Sequence, residues 1–212
     1  MSLKLVIFDM DGVLVDACDW HKDALNEALE EICNYTISNE DHYGTFNGLP
    51  TKVKLKKLTE MGIVSDQQHE WINNFKQEKT ISIIKQKAQR DMSKIELITW
   101  LKEEKIKVAC FTNSIRKTAT LMLKKAGVYE ILDCFITNQD VEKPKPDPEG
   151  YTKILEHFDI SPHEAFIVED SPKGIKAAEA SGCKVMKVKN ATCVNTNSIK
   201  EFIDENFNSN GR

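Results

Sequence analysis

The sequence of 212 residues has no apolar run near the roughly 18 residues of a membrane span, so no spanning helix is expected. Basic charge is not in excess. Lys and Arg number 29 against 33 Asp and Glu, a net charge of −4, which offers no electrostatic footprint for nucleic acid. Paired C-x-x-C spacing is missing: Cys18, Cys33, Cys110, Cys134, Cys183 and Cys193 are scattered, which excludes a metal finger. A cleavable signal pattern is missing too, because the chain runs directly into an apolar stretch. The thiols are therefore expected to be reduced in a cytoplasmic protein, with Cys110 in the core. Repeats and low-complexity tracts are absent, and nothing marks an obligate protein partner. What is present is an ordinary apolar fraction of 41% and a length that supports one substantial core, or a core with an insert.

Leu5 to Phe8 is an unbroken apolar run, as in a parallel strand buried on both faces. It breaks into Asp9 and Asp11, one residue apart. Strand side chains alternate with period two, so both carboxylates face one way if the chain stays extended. Ligands of open α/β sheets bind outside the carboxyl ends of the strands, where such a pair can hold a hard cation and handle protons. Two alternatives compete with that chemistry. Asp11-Gly12 suits a tight turn with positive φ, which leaves Asp9 unexplained. An EF-hand loop fails, because Val13 and Trp20 stand where ligands are required.

From about Asp19 to Cys33, Leu25, Ala28, Leu29 and Ile32 fall at helical spacing. A helical turn is expected at Asn39–Tyr43 and a loop at Asn47-Gly48-Leu49-Pro50. Thr51 suits the N-cap of a helix ended by Gly62, and Ser65 the cap of a long helix. Residues 17–89 thus read as all-helical. After Arg90 helices and strands alternate. Helices are expected from about Lys94 to Glu104, Arg116 to Ala126, Pro148 to His157, Lys173 to Ser181 and Ile199 to Phe207, with a frayed polar tail. Strands are expected at Lys107–Thr112, Asp133–Thr137, Ala165–Glu169 and Lys184–Val188. Ser161 to Glu164 fits a capping box. Alternation implies a parallel sheet covered by helices. The expected architecture is α/β: a Rossmann-like parallel sheet core, residues 1–16 and 90–212, with a small all-helical cap, 17–89, inserted after the first strand.

Three more strand ends carry polar groups. Thr112-Asn113-Ser114 offers hydroxyls and N–H groups to phosphate oxygens, although it is also common loop chemistry. In Glu142-Lys143-Pro144-Lys145-Pro146-Asp147-Pro148, three prolines stiffen a lysine-bearing loop, which could equally carry solvated lysines. Glu169 and Asp170 end a buried strand, where acids are costly unless paired or bound to metal; capping the next helix is the alternative.

In order and spacing these segments resemble the haloacid dehalogenase-like hydrolase superfamily. Its first motif is matched by Asp9-Met10-Asp11-Gly12-Val13-Leu14-Val15-Asp16 and its second ends at Thr112. The third is placed at Lys143, and the fourth is matched by Glu169-Asp170-Ser171-Pro172-Lys173-Gly174-Ile175-Lys176-Ala177-Ala178. The branch it resembles holds phosphoglycolate phosphatase and β-phosphoglucomutase. The resemblance implies that Asp9 attacks phosphorus and that Asp11 moves the proton. It implies Mg²⁺ on Asp9, Asp170 and the Asp11 carbonyl, with Glu169 in direct contact or one shell out. Thr112 and Asn113 would bind the phosphate of a small phosphorylated substrate, and Lys143 would neutralise charge. The family's true dehalogenases lack the second acid, so Asp11 favours phosphoryl transfer.

His21 matches a histidine that relatives place near the crevice, or is an ordinary helical histidine. Gly48 matches a glycine facing substrate. Lys52, Lys54 and Lys56 could attract an anion or form a solvated face. Ile115 stands where phosphoglucomutases have a lysine, and Ile95-Glu96 replace a usual Pro-Gly. The implied activity is a Mg²⁺-dependent phosphatase, with a sugar phosphomutase or a non-enzymatic phosphate-binding regulator as alternatives; fold alone does not decide among them.

Overall fold

The computed structural model describes residues 2–208, so the expected polar tail beyond them lies outside the described residues. The chain divides into two compact units: one runs to Asp16 and resumes at Gln89, the other is Ala17–Ala88. Gln89 thus falls with the sheet rather than with the insert.

The first unit is built on five parallel strands: β1 (Leu5–Phe8), β2 (Lys107–Phe111), β3 (Cys134–Ile136), β4 (Ala165–Glu169) and β5 (Lys184–Lys187), in the order β3-β2-β1-β4-β5. Every residue of β1 is fully buried, which explains its lack of polar alternation. Phe8 pairs with Cys110 on one side and Val168 on the other. The residues just beyond that level are Asp9, Phe111 and Glu169, and the Asp9 N–H still donates to the Val168 carbonyl. Register alone therefore brings three strand ends together. The strand order reverses between β1 and β4, the switch point at which open sheets form their crevice.

Helices α5 (Met92–Glu103), α6 (Arg116–Ala126), α7 (Glu149–Phe158), α8 (Pro172–Ala180) and α9 (Thr196–Asn206) belong to this unit. The core between strands and helices includes Phe111, Tyr151, Ile154, Ile167 and Ala177. Burying each large apolar side chain contributes about 1.5–3 kcal/mol. The second unit holds α1 (Cys18–Cys33), α2 (Asn39–Asp41), α3 (Thr51–Glu60) and α4 (His69–Lys87), closed around Leu25, Leu29, Phe46, Leu55, Leu58 and Ile72.

Several ends differ from expectation. Thr51 is the first helical residue and Pro50 the cap. Ser65 does make a capping box, but for a 3₁₀ turn, Asp66–Gln68, that feeds α4. The turn at Asn39 continues as a π-helical turn, His42–Phe46. Helix α5 starts early because Asp91 accepts from the Lys94 N–H at 3.1 Å, and α9 because Asn195 accepts from the N–H groups of Asn197 and Ser198. Among the described residues no helix is long and apolar enough to cross a membrane, and the six cysteines are free thiols.

Candidate active site

The site begins at the β1 end. Past Asp9 the chain folds into a tight loop in which the N–H groups of Val13, Leu14 and Val15 all donate to the Met10 carbonyl. Gly12 adopts φ 92°, a conformation L side chains resist, so the turn at Asp11-Gly12 and the carboxylate pair coexist. Asp9 is 7% exposed. The Asp11 carboxylate is oriented from β2: its Oδ2 accepts from Thr112 Oγ1 at 3.1 Å and from Ser114 Oγ at 2.9 Å. Thr112 is fully buried and its hydroxyl also accepts the Ser114 N–H. Among the expected phosphate binders, Thr112 and Asn113 are therefore first of all framework. The Asn113 amide clamps Lys145, donating to its carbonyl at 3.1 Å and accepting its N–H at 3.0 Å.

The lysine of the site is Lys145, not Lys143, which corrects the placement drawn from the motif. The Lys145 ammonium, 3% exposed, lies 2.6 Å from Asp9 Oδ1, 2.6 Å from Glu169 Oε1 and 2.9 Å from the Phe111 carbonyl. It sits over the rings of Phe111 and Tyr151 at 4.8 and 5.0 Å, a cation–π cage. Lys143 is exposed. The reason lies in α7: the Glu149 carboxylate accepts the N–H groups of Glu142 and Lys143 and pins that part of the loop outside. Lys153, followed by those N–H groups, holds the Glu149 carboxyl down to about 2.

Glu169, which the motif allows as a metal ligand or one shell out, is fully buried. Its Oε1 accepts from Lys145 and from the Tyr151 hydroxyl at 2.9 Å; Oε2 accepts from the N–H groups of Asp170 and Ser171 and from Ser171 Oγ. Ser171 also caps α8 through the Gly174 N–H at 3.1 Å. A Cβ on Gly174 would lie 1.8 Å from Glu169 Oε1, and one on Gly150 would lie 2.3 Å from the Phe111 ring. Neither glycine leaves room for a side chain. Tyr151 and Gly150 carry no signal in the sequence, because only tertiary packing assigns them a function, and Gly174 enters it only as a member of the fourth motif. His21 lies in the other unit, with Nδ1 3.4 Å from Lys76 Nζ.

Carboxylate oxygens of Asp9, Glu169 and Asp170 lie within 4.8 Å of one another. Burial and then Glu169 push the Asp9 carboxyl well above its usual range. Burial, Glu169 and Asp11 push Asp170 up to about 7. Burial works against the Lys145 charge, but Asp9 and Glu169 outweigh it and raise that group. A crowded, all-oxygen, acid-rich site of this kind fits a hard divalent cation such as Mg²⁺.

The raised Asp170 carboxyl makes the metal-free protein pH-sensitive. A folded state that holds a proton its unfolded chain releases is stabilised below the unfolded value of 3.8, and loses that stability as pH rises toward 7. His42, buried and lowered to about 4, acts in the opposite sense, so Asp170→Asn is the reference. Metal-free wild type and Asp170→Asn should melt alike only below about pH 4, where Asp170 is protonated in both the folded and the unfolded chain. Toward about pH 8 the wild type should melt lower, and Mg²⁺ should close the gap. Parallel melting curves across that range would contradict the crowding of charge described here.

A phosphorylated carbohydrates phosphatase of Thermotoga maritima is 28% identical over 184 residues, covering 85% of this chain and 82% of its own. A pyrophosphatase of Bacillus velezensis is 26% identical over 191 residues, covering 86% and 82%. In fold, a β-phosphoglucomutase from Clostridium difficile superposes with a TM-score of 0.82 at 21% identity, over 97% of each chain. The family model described as haloacid dehalogenase-like hydrolase matches residues 6–188, and with that span of the sheet and its insert the chain belongs to the haloacid dehalogenase-like hydrolases.

Proposed function

We propose that this hydrolase is a Mg²⁺-dependent phosphatase that releases phosphate from a small phosphorylated metabolite through a covalent aspartyl-phosphate on Asp9. The observation that carries it is the Asp9 carboxylate at the end of the central strand, in contact with the Lys145 ammonium and grouped with Asp170. The relatives that are phosphatases and pyrophosphatases support hydrolytic phosphoryl transfer as the class of reaction.

In the first step an Asp9 oxygen attacks phosphorus. The bond to the alcohol oxygen breaks, and Asp11 gives that oxygen its proton. In the second, Asp11 takes a proton from water as the water oxygen attacks phosphorus, and the bond to Asp9 breaks. Thr112 and Ser114 keep the Asp11 carboxyl aimed, a task their bonds to Oδ2 fit them for. Lys145 offsets charge on Asp9 and on the transferring phosphoryl group. Asp9, Asp170 and the Asp11 carbonyl would hold Mg²⁺, which would supply positive charge to offset the Asp9 and phosphate anions.

Phosphomutase activity would need a sugar hydroxyl to replace water. Ile115 offers no hydrogen bond from its side chain, and the neighbouring Arg116 guanidinium is engaged by Asp140. A missing charged contact to a second phosphate costs roughly 1.5–3 kcal/mol, a tenfold or greater loosening. A screen of phosphorylated metabolites with Mg²⁺ should give steady phosphate release that a chelator stops. With β-glucose 1-phosphate and a bisphosphate primer, phosphorus NMR should show little glucose 6-phosphate. Full activity without metal, or isomerisation without phosphate release, would overturn the proposal.

A further inference from the structure

We infer that the second unit carries an oxyanion-binding site built on His42 of the π-helical turn and Lys54 of α3, which takes a phosphate or carboxylate group. The site goes beyond the phosphatase proposal and does not depend on it. His42 is 1% exposed, and neither Nδ1 nor Nε2 has a hydrogen-bond partner. Burial, then Lys54 and Lys22, lower its ring to about 4, so the imidazole is neutral near pH 7, with one N–H to donate and one nitrogen to accept. Buried polar atoms without partners destabilise a fold, so a ring retained with both nitrogens open points to a ligand. Apolar packing does not account for it. Phe46, four residues on, joins the apolar core of the unit, whereas His42 faces charge. A phenylalanine at that position would fill the space with no polar atom to satisfy.

The groups acting on the ring come from two helices, and their balance selects the charge of the ligand. Lys22, Asp19 and His21 come from α1 and Lys54 from α3. Asp19, the carboxylate among these four, is already engaged: its Oδ1 accepts from Lys22 Nζ at 3.0 Å and from the Tyr43 hydroxyl at 2.6 Å. Each of the two lysines acts on His42 more strongly than Asp19 does, so the field at the ring is positive. Such a field draws in an anion and opposes a metal ion or an amine. Of the three lysines that alternate along α3, Lys52 and Lys56 are exposed and Lys54 is 6% exposed, so Lys54 alone is turned into the protein. The π turn sets the ring in place: the His42 N–H donates to the Ser38 carbonyl at 2.9 Å, and its carbonyl accepts from Asn47, five residues on, at 2.7 Å. Turns of this kind recur at functional sites. A buried ammonium with a neutral imidazole N–H is a donor pair suited to the oxygens of an oxyanion.

Imidazole nitrogen–proton spectra of the metal-free full chain test the site. Sodium phosphate, titrated against sodium chloride at equal ionic strength, should shift the His42 ring nitrogens saturably, while the exposed His157 and His163 rings do not move. Lys54→Met should weaken that binding by about tenfold or more, the loss of one charged contact. His42→Phe should melt at or above wild type in chloride, because two unsatisfied atoms are gone, and should gain less than wild type from phosphate. A merely structural histidine would instead melt lower in both salts when replaced, with the phosphate gain intact. Should His42→Phe not fold, Lys54→Met keeps the reporter ring and decides by the same titration. Phosphoglycolate compared with ethyl phosphate identifies the source of the anion. Binding at His42 tighter by about tenfold or more for the diacid assigns the site to a second acidic group on a substrate, and equal binding assigns it to a free anion. A His42 ring that phosphate does not shift, or a shift undiminished in Lys54→Met, would overturn the inference. None of these readouts uses turnover, so failure of the phosphatase proposal would leave the site standing.

Discussion

Replacing Lys145 by Ala is expected to abolish most turnover, by about 100-fold or more, and to weaken the fold by about 3–5 kcal/mol. The two effects share one cause. Lys145 is the ammonium that the buried Asp9 and Glu169 carboxylates both contact, and its removal leaves the two facing each other without compensation. Arg is no conservative replacement: the space is bounded by the rings of Phe111 and Tyr151, and a planar fork does not fit where a compact ammonium sits. Lys143→Ala should behave as an ordinary surface change, within about 0.5 kcal/mol in stability, with turnover close to wild type. Steady-state phosphate release and thermal melts of the two alanine variants decide between them. An inactive Lys143→Ala beside an active Lys145→Ala would reverse the assignment.

That contrast also marks where sequence reasoning stops. The ends of β4 and of α6 are legible residue by residue. An apolar run of β-branched and aromatic side chains defines Ala165–Glu169, and Gly127 at φ 81° closes α6. Asp9, Thr112 and Asp170 are legible in position because each directly follows an apolar strand, and parallel strands in register deliver their ends to one edge. Lys145 follows no strand. Its place depends on the Asn113 amide and the Glu149 carboxylate, which reach the loop from other elements, so the two lysines of Lys-Pro-Lys-Pro look equivalent in the sequence. The early start of α5 is hidden similarly, since the Asp91 cap precedes Met92, an exposed apolar residue that breaks the periodicity. Local chemistry is written locally; a clamp from a distant element is not.

Asp9→Asn should show the opposite coupling of activity and stability. If Asp9 is the nucleophile, as proposed, its attacking oxygen is replaced by an amide that does not form the acyl phosphate, so phosphate release should fall by about 10⁴-fold or more. The metal-free fold, however, should not suffer as it does in Lys145→Ala. Asp9 is buried among Glu169, Asp170 and Asp11, and burial with that like charge raises its carboxyl well above the usual range, so the folded state opposes the charge that catalysis needs. Asn removes the charge while keeping the shape, and Lys145 retains Glu169 and the Phe111 carbonyl. At neutral pH without metal, the variant should therefore melt at or above the wild-type temperature, the trade of stability for activity expected where like charges are crowded for chemistry. Saturating Mg²⁺ should narrow the difference, because the cation relieves the same repulsion in the wild type. Phosphate release from Asp9→Asn above about 1% of wild type would remove Asp9 as nucleophile. A melting temperature well below wild type in metal-free buffer would mean that the Lys145–Asp9 pair stabilises the fold more than the surrounding acids oppose it.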